Sequence, residues 1–376
     1  MEEAPDGKSS NSNSKSSSMG AIIMKGLEYA RNVKVVVAIF VVLVSCCLLL
    51  YYSSNNNNNY NFGQLLSFSS PFYSLNATPA DPPDPNEPVH DEFYELRKAL
   101  KAAATEDKTV ILTTLNDAWA EPNNIFDIFL ESFRIGNNTA RLLNHLLVIA
   151  VDDKAYLRCQ ALVRHCYFFK SNHSKELAHE ARFMTPIYLE MMWERLDFLR
   201  IILTLGYNFV FTDTDIMWFR DPFPHFYPGI DFQTSCDAFN GNPADLNNAP
   251  NNGFNFVRSN RRTVEFYKFW VSSRWKYPRL HEQNVFNKIK HSSYVKKIGV
   301  SFRFLDTNYF GGFCSPSKDF NKVCTMHANC CKGLEKKIAD LNAILEDWKM
   351  YVNVSSTTNT TIETHWRAPN RCRVWD

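Results

Sequence analysis

Asn208-Phe209-Val210-Phe211-Thr212-Asp213-Thr214-Asp215 is the stretch that decides how this chain reads. Its first half is an apolar strand. Residues two apart on a strand share a face, so the strand end presents two carboxylates side by side. Nothing cationic lies between them in sequence. A divalent cation would neutralise their repulsion and leave oxygen-ligand positions open for a diphosphate. The plainer reading is an Asp pair that caps the following turn. The apolar approach and the Trp218-Phe219 pair just beyond weigh against a solvated pair. A phosphatase-type Asp-x-Asp usually has Thr or Gly directly after its second Asp and stands early in its domain. Ile216-Met217 and the late position argue against it.

The segments around this strand alternate in type. Pro186 to Leu205 carries Leu189, Met192, Trp193, Leu196, Leu199 and Leu203 at helical spacing, with Gly206 as its stop. Further upstream, Glu92 to Ala104 reads as helix and Thr109 to Thr113 as a buried strand. Asn116-Asp117 reads as a loop and Ile125 to Arg134 as helix. The second half of Leu143 to Val151 is strand, Lys154 to His165 helix, and Cys166 to Phe169 a short strand. This alternation predicts an α/β fold with a mainly parallel sheet. Ligands of such sheets bind at the carboxyl ends of strands, which is where Asp213 and Asp215 fall.

The 376 residues carry a formal net charge of +2, too small to suggest nucleic-acid binding. Residues 1–34 begin Ser/Asn/Lys-rich and read as a disordered tail. Residues 35–52 are apolar and long enough to span a bilayer. Lys25, Arg31 and Lys34 precede them, and the next cationic residue is Arg97. The positive-inside rule therefore expects a type II signal-anchor, with the N-terminus cytosolic and the rest lumenal. A cleaved signal peptide is the rival, disfavoured by the length of the run and the lack of a small-residue cleavage site. Residues 53–89, with Asn55 to Asn59 and Pro79, Pro82, Pro83, Pro85 and Pro88, read as a stem. A catalytic domain is expected over 90–350 and a tail over 351–376.

Sequons at Asn76, Asn137, Asn172, Asn353 and Asn359 all follow the apolar run. Cys46 and Cys47 lie within it. Cys159, Cys166, Cys236, Cys314, Cys324, Cys330, Cys331 and Cys372 lie beyond it and could form up to four disulfides in an oxidising lumen. The pattern leaves the connectivity open. Cys159 with Cys166 and Cys314 with Cys324 are the local candidates.

Phe211-Thr-Asp-Thr-Asp-Ile-Met-Trp-Phe-Arg-Asp-Pro-Phe223 resembles the signature of plant nucleotide-diphospho-sugar transferases, glycosyltransferase family 77. The likeness extends through Thr114-Leu-Asn-Asp-Ala-Trp119, Phe129 to Asn138, Gly253-Phe-Asn255, Phe304-Leu-Asp306, Tyr309 to Cys314 and Cys324 to Cys331. The resemblance implies a GT-A fold, a Golgi type II membrane protein and a metal-dependent glycosyltransferase. Mn²⁺ or Mg²⁺ would be its cofactor and a nucleotide sugar, a UDP-sugar above all, its donor. The sugar, a pentose or galactose, would pass to a cell-wall polysaccharide or glycoprotein with configuration retained.

Carried over by position, Asp213 and Asp215 become metal and diphosphate ligands, and His327 completes the metal site. A structural loop and a zinc knuckle, Cys324-x-x-His327-x-x-Cys330, are the alternatives for that histidine. Gly333 and Lys337 would approach the phosphates, Lys337 as a point charge. Thr114 and Asn116 would line the nucleoside pocket, unless Asn116 only forms a turn. Arg200 could reach the diphosphate from the helix before the Asp-Thr-Asp strand, or be a solvated helix-face residue. Gly253 would let backbone approach a sugar closely, or serve a plain turn. His281-Glu282-Gln283 stands where relatives usually carry Asp-Gln, and Asn284 replaces another frequent Asp. Glu282, Gln283 and Asp306 are the candidates for stabilising an oxocarbenium-like centre. Glu282 could instead be an ordinary first-turn helix residue. Two rival functions are a non-catalytic lumenal glycan- or partner-binding protein and a lumenal metal-dependent phosphohydrolase.

Overall fold

The computed structural model describes residues 91, 93–170, 184–357 and 365–372. The expected tail, anchor and stem lie outside the described residues, as do the sequons at Asn76, Asn172 and Asn359. Among the described residues no helix is long and apolar enough to cross a membrane.

Helix α1 (Tyr94–Ala103) precedes β1 (Thr109–Leu115). A short α2 (Asp117–Ala120) and α3 (Ile125–Ile135) lead to β2 (Leu146–Ala150). Then α4 (Asp153–Leu162) leads to β3 (His165–Phe168), and α5 (Pro186–Thr204) to β4 (Asn208–Thr212). Beyond the Asp pair come β5 (Ile216–Trp218), β6 (Phe232–Ala238), β7 (Ala249–Val257), α6 (Arg261–Ser272), α7 (Glu282–Ile289) and α8 (Ser293–Ile298). Strands β8 (Phe302–Phe304), β9 (Phe310–Gly312) and β10 (Thr325–His327) and the long α9 (Leu334–Thr357) follow.

The main sheet runs β3-β2-β1-β4-β7-β6-β8. Its pairings are parallel except at β7, which is antiparallel to both neighbours. A second sheet, β5-β10-β9, is smaller. The expected α/β fold with a mainly parallel sheet is therefore observed. Strand alternation sends side chains to two cores. Ile111, Leu115, Val148 and Val210 pack with α3, Phe219 and Trp348. Val110, Leu112, Phe209 and Phe211 pack with Leu196, Leu199 and Ile202 of α5 and Trp270 of α6.

Helix α5 positions the site from behind. Thr185 caps it by accepting from the Tyr188 amide, and Pro186 supplies a preset φ in the first turn. It is buried almost all round from Met192 to Leu203. Gly206, at φ +86, ends it in the left-handed region that only glycine enters cheaply. One residue later the chain enters β4, so helix and strand are locked back to back.

Residue 351, where the sequence suggested a tail would begin, lies inside α9. The chain then returns. Trp366 stacks on Phe320 with centroids 3.8 Å apart and donates to the Ser317 carbonyl. The Asp340 carboxylate accepts from the Asn370, Arg371 and Cys372 amides. Fully buried side chains such as Trp218, Trp348 and Phe219 each contribute roughly 2–3 kcal/mol of burial.

Candidate functional site

Strand β4 delivers Asp213 to the carboxyl edge of the sheet, and β7 continues its pairing there. Thr212 faces Phe254, and the Asp213 amide donates to the Gly253 carbonyl at 2.8 Å. The chain turns through Asp215 into β5, whose antiparallel register with β10 sets Ile216 opposite His327. The Ala328 amide donates to the Asp215 carbonyl at 3.0 Å, so His327 is clamped beside the pair by backbone.

The four carboxylate oxygens divide into two kinds. The outer two carry cations: Arg195 donates to Asp213 Oδ1 at 2.8 Å, and Lys337 to Asp215 Oδ2 at 2.5 Å. The inner two face His327: its Nε2 lies 3.2 Å from Asp215 Oδ1 and 3.9 Å from Asp213 Oδ2. Arg195 is itself shared, donating also to Glu282 Oε1 at 3.0 Å. Lys337 Nζ stands 5.5 Å from the Trp119 ring centroid, which joins the short α2 to the site.

These contacts set the charges. Burial pushes the Asp215 carboxyl up, but Lys337 and His327 outweigh it and hold it well below the usual carboxylate range. At Asp213 burial is the larger effect. It outweighs Arg195 and, with Asp215 nearby, leaves that carboxyl above its ordinary value. Burial also pushes Glu282 up, and His281 and Arg195 beside it bring the carboxyl below its ordinary value.

Inner Asp213, inner Asp215 and His327 offer ligand atoms that all lie within 4.8 Å of one another. Two hard oxygens and one imidazole nitrogen suit Mn²⁺ or Mg²⁺, and the buried negative charge favours a cation there. The residues present fit such an ion.

Gly253 lies against this cluster. A Cβ there would sit 2.6 Å from Asp213 Oδ2 and 2.6 Å from His327 Cε1. Gln283 accepts from the Asn252 amide at 3.1 Å and points its nitrogen at Asp237. Asp237 also accepts from Asn251 and Asn329, each at 2.8 Å.

Other predicted residues stand elsewhere. Arg200 pairs with Asp197 on its own helix. Arg195 is the arginine that reaches the site. Five residues along a helix turn the side chain by about 140°, so the two cannot share a face. Asp306 is spent on a turn, accepting from the Asn308 amide and side chain. The Asn116 side chain caps α2 by accepting from the Trp119 amide. Thr114 sits at the carboxyl end of β1, two residues beyond Leu112, which pairs with Phe211 of β4. Gly333, at φ +95, starts α9, and a Cβ there would meet nothing within 4 Å. It serves the turn that aims Lys337. Glu282 is 5% exposed and held by Arg195, so it faces the arginine and not open space.

Of the local disulfide candidates, Cys159–Cys166 forms and Cys314–Cys324 does not. Cys314 pairs with Cys330, and Cys331 with Cys372. Cys330 takes a left-handed backbone, φ +53, which turns the loop after β10 back toward Cys314. Cys324 faces the core as a free thiol, like Cys236. The zinc-knuckle reading falls with it: Cys330 is oxidised, Cys324 is turned away, and His327 faces carboxylates.

Arg195 and Asp237 were not singled out in the sequence; Trp119 stood only at the end of a matching motif, and Asn251 and Asn252 in the Asn-rich loop Asn247 to Asn252, expected over the donor or acceptor cleft.

Residues 141–341 match the family described as nucleotide-diphospho-sugar transferase. An uncharacterized protein of Arabidopsis thaliana is 50% identical over 283 residues, 75% of this chain and 74% of that protein. The chain is also similar to UDP-galactose:fucoside alpha-3-galactosyltransferase of Dictyostelium discoideum. That likeness is 28% identity over 51% of this chain and 36% of the other. With beta-arabinofuranosyltransferase RAY1 of Arabidopsis thaliana it is 25% over 46% and 31%. The chain thus spans about a third of the length of each of these two transferases.

Proposed function

The chain belongs to the nucleotide-diphospho-sugar transferase family and is a glycosyltransferase, and from that premise we propose that it is metal-dependent and uses a UDP-sugar. The observation that carries this is the inner triad of Asp213 Oδ2, Asp215 Oδ1 and His327 Nε2, flanked by Arg195 and Lys337 at the carboxyl end of β4. Such a site gathers a cation ligand set and two further positive charges where a diphosphate would need them.

Asp213, Asp215 and His327 would hold Mn²⁺ or Mg²⁺, which when bound would offset the negative charge of a departing diphosphate. Lys337 reaches in from α9 as a point charge for the same phosphates. Gly253 leaves room beside the ligand atoms for close approach. Glu282 orients Arg195. Asp306 is committed to its turn. Of the three candidates for steadying an oxocarbenium-like centre, Gln283 is the one whose side chain lines the half-open side of the site, beside Asp237.

A pentose or galactose donor is favoured by the activities named for the two shorter matches. The acceptor in this reading is a hydroxyl of a wall polysaccharide or glycoprotein, with configuration retained. A Golgi type II topology is supported by the apolar run at 35–52, the one-sided sequons and the basic residues before the run. The disulfides suit an oxidising compartment.

The test is to incubate the purified full-length chain with a panel of nucleotide sugars and Mn²⁺ or Mg²⁺, with Asp215→Ala alongside. Transfer by the wild type and its loss in the variant support the reading. Nucleotide-sugar hydrolysis with no transfer to any acceptor would support the phosphohydrolase instead. A wild type that binds no nucleotide sugar, or a variant equal to it, sinks the proposal.

A further inference from the structure

Beside Arg195 lies a small, partly open cavity of about 10 Å³ between α5, β4, β7 and the start of α7. That is room for one water. Its polar walls are Arg195, Asn252, Asn255 and Glu282, with Tyr267 and with Trp270, whose indole N–H is already taken by the Glu282 carbonyl.

Three of these residues bring an unsatisfied buried atom. Asn252 Nδ2, Asn255 Oδ1 and Glu282 Oε2 have no hydrogen-bond partner among the described residues. The three residues are 4%, 3% and 5% exposed. Asn255 is oriented from the other side, its Nδ2 donating to the Asn252 carbonyl at 3.0 Å, while the Thr234 hydroxyl comes only within 3.5 Å of Asn252 Oδ1. Arg195 holds Glu282 Oε1. His281 Nδ1 approaches Glu282 Oε2 only to 3.4 Å, beyond a normal N–H···O bond. One donor and two acceptors therefore converge on a space of one water. A water has two hydrogens for the acceptors and a lone pair for the donor. Buried polar groups are almost always satisfied, so three orphans lining one cavity call for a shared partner.

We propose that this cavity is a binding site for a single structural water that accepts from Asn252 Nδ2 and donates to Asn255 Oδ1 and Glu282 Oε2. Through it Asn255 becomes a positioning residue. It fixes Glu282, Glu282 fixes Arg195, and Arg195 occupies the outer oxygen of Asp213 so that the inner oxygen faces His327. The water site stands on the cavity and the orphan atoms alone. Its effect on cation affinity rests on the metal-dependent reading above.

The test has a structural and a binding arm. A crystal structure of the full chain, at a resolution that shows ordered solvent, should place one water about 2.7–3.0 Å from all three atoms. Calorimetric titration with Mn²⁺ should show Asn255→Leu binding about ten- to a hundredfold more weakly than wild type. Asn255→Ser, which restores a hydroxyl and admits water, should recover most of the loss. A cavity without solvent density, or three side chains paired directly with one another, overturns the site. A folded Asn255→Leu that binds Mn²⁺ like wild type overturns the positioning role. If that variant fails to fold, the Ser variant takes its place: a Ser variant that binds Mn²⁺ as wild type does and shows solvent in the cavity supports the role, and a folded Ser variant that binds weakly despite such solvent overturns it. A wild type that binds no Mn²⁺ but shows the water would sink the metal-dependent reading and leave the water site standing.

Discussion

Gly253 lies opposite Asp213 across the seam of β4 and β7, close enough that a single methyl at 253 would strike both Asp213 Oδ2 and the His327 ring. The demand is for space and not for backbone freedom. Gly253→Ala should therefore fold but melt below the wild type, since Gly253 and His327 are buried and the methyl meets side chains that must shift. Its Mn²⁺ affinity should drop by about tenfold or more. Calorimetry together with a thermal melt checks both halves. Wild-type affinity in a folded Ala variant would count against the inner triad as the metal site.

Lys337 holds the outer oxygen of Asp215. Lys337→Met should remove a charge that opposes any incoming cation. In the absence of nucleotide, Mn²⁺ should bind several-fold more tightly to the variant, because a nearby like charge is gone. UDP in the presence of Mn²⁺ should bind about tenfold more weakly, having lost a point charge. Changes of the same sign in both titrations would refute this placement of the lysine.

Arg195 is nearly buried between two carboxylates, Asp213 and Glu282. Arg195→Met strands both. Breaking a buried pair in this way costs roughly 3–5 kcal/mol. The double variant Arg195→Met with Glu282→Met should recover part of that loss. Chemical denaturation of the single and double variants measures the coupling, and additive losses would mean that Glu282 is not the arginine's partner.

Burial pushes the thiols of Cys236 and Cys324 up to about 12. A thiol with a raised pKa stays protonated below that value, so at pH 8 almost none is the reactive thiolate. A maleimide should leave both unmodified in the native protein and label both after denaturation, read by peptide mass spectrometry. Labelling of Cys324 in the native state would contradict its place in the core beside β10.

The Cys331–Cys372 bond closes a loop with a sequence separation of 41. On the chain-entropy account such a loop contributes roughly 4 kcal/mol. Cys372→Ser should lower the unfolding free energy by about that amount and loosen the start of α9, read as faster amide exchange around Lys337.

What the sequence revealed and what it hid follow one physical division. The strand leading to Asp213 and the helix with its Gly206 stop are local patterns read from a short window, and the alternation of strands with helices foretold a mainly parallel sheet but not its strand order. The third metal-site candidate, His327, came from resemblance, and the register of β5 on β10 supplies the reason for its position. Arg195 was missed in favour of Arg200 because a helix buried almost all round, charged residues included, has no single polar face to show which side meets the strand. Asp306 and Asn116 went to turns, as short polar side chains next to free amides often do. The Cys314–Cys330 pairing depends on one left-handed residue in a loop, which no spacing predicts. The asparagines of β7 are buried by a fold that brings α7 over them, a long-range event.

The two neighbouring cysteines also impose an order in time. During synthesis Cys314 is already present when Cys330 and Cys331 emerge side by side, while Cys372 follows 41 residues later, roughly 2–8 seconds at ordinary translation rates. Throughout that interval two adjacent thiols compete for one partner. A Cys314–Cys331 bond formed in haste would pull the His327 loop out by one residue and leave Cys330 facing Cys372. Oxidative refolding of the reduced chain should therefore yield more molecules with the native Cys314–Cys330 and Cys331–Cys372 bonds when a disulfide isomerase is added.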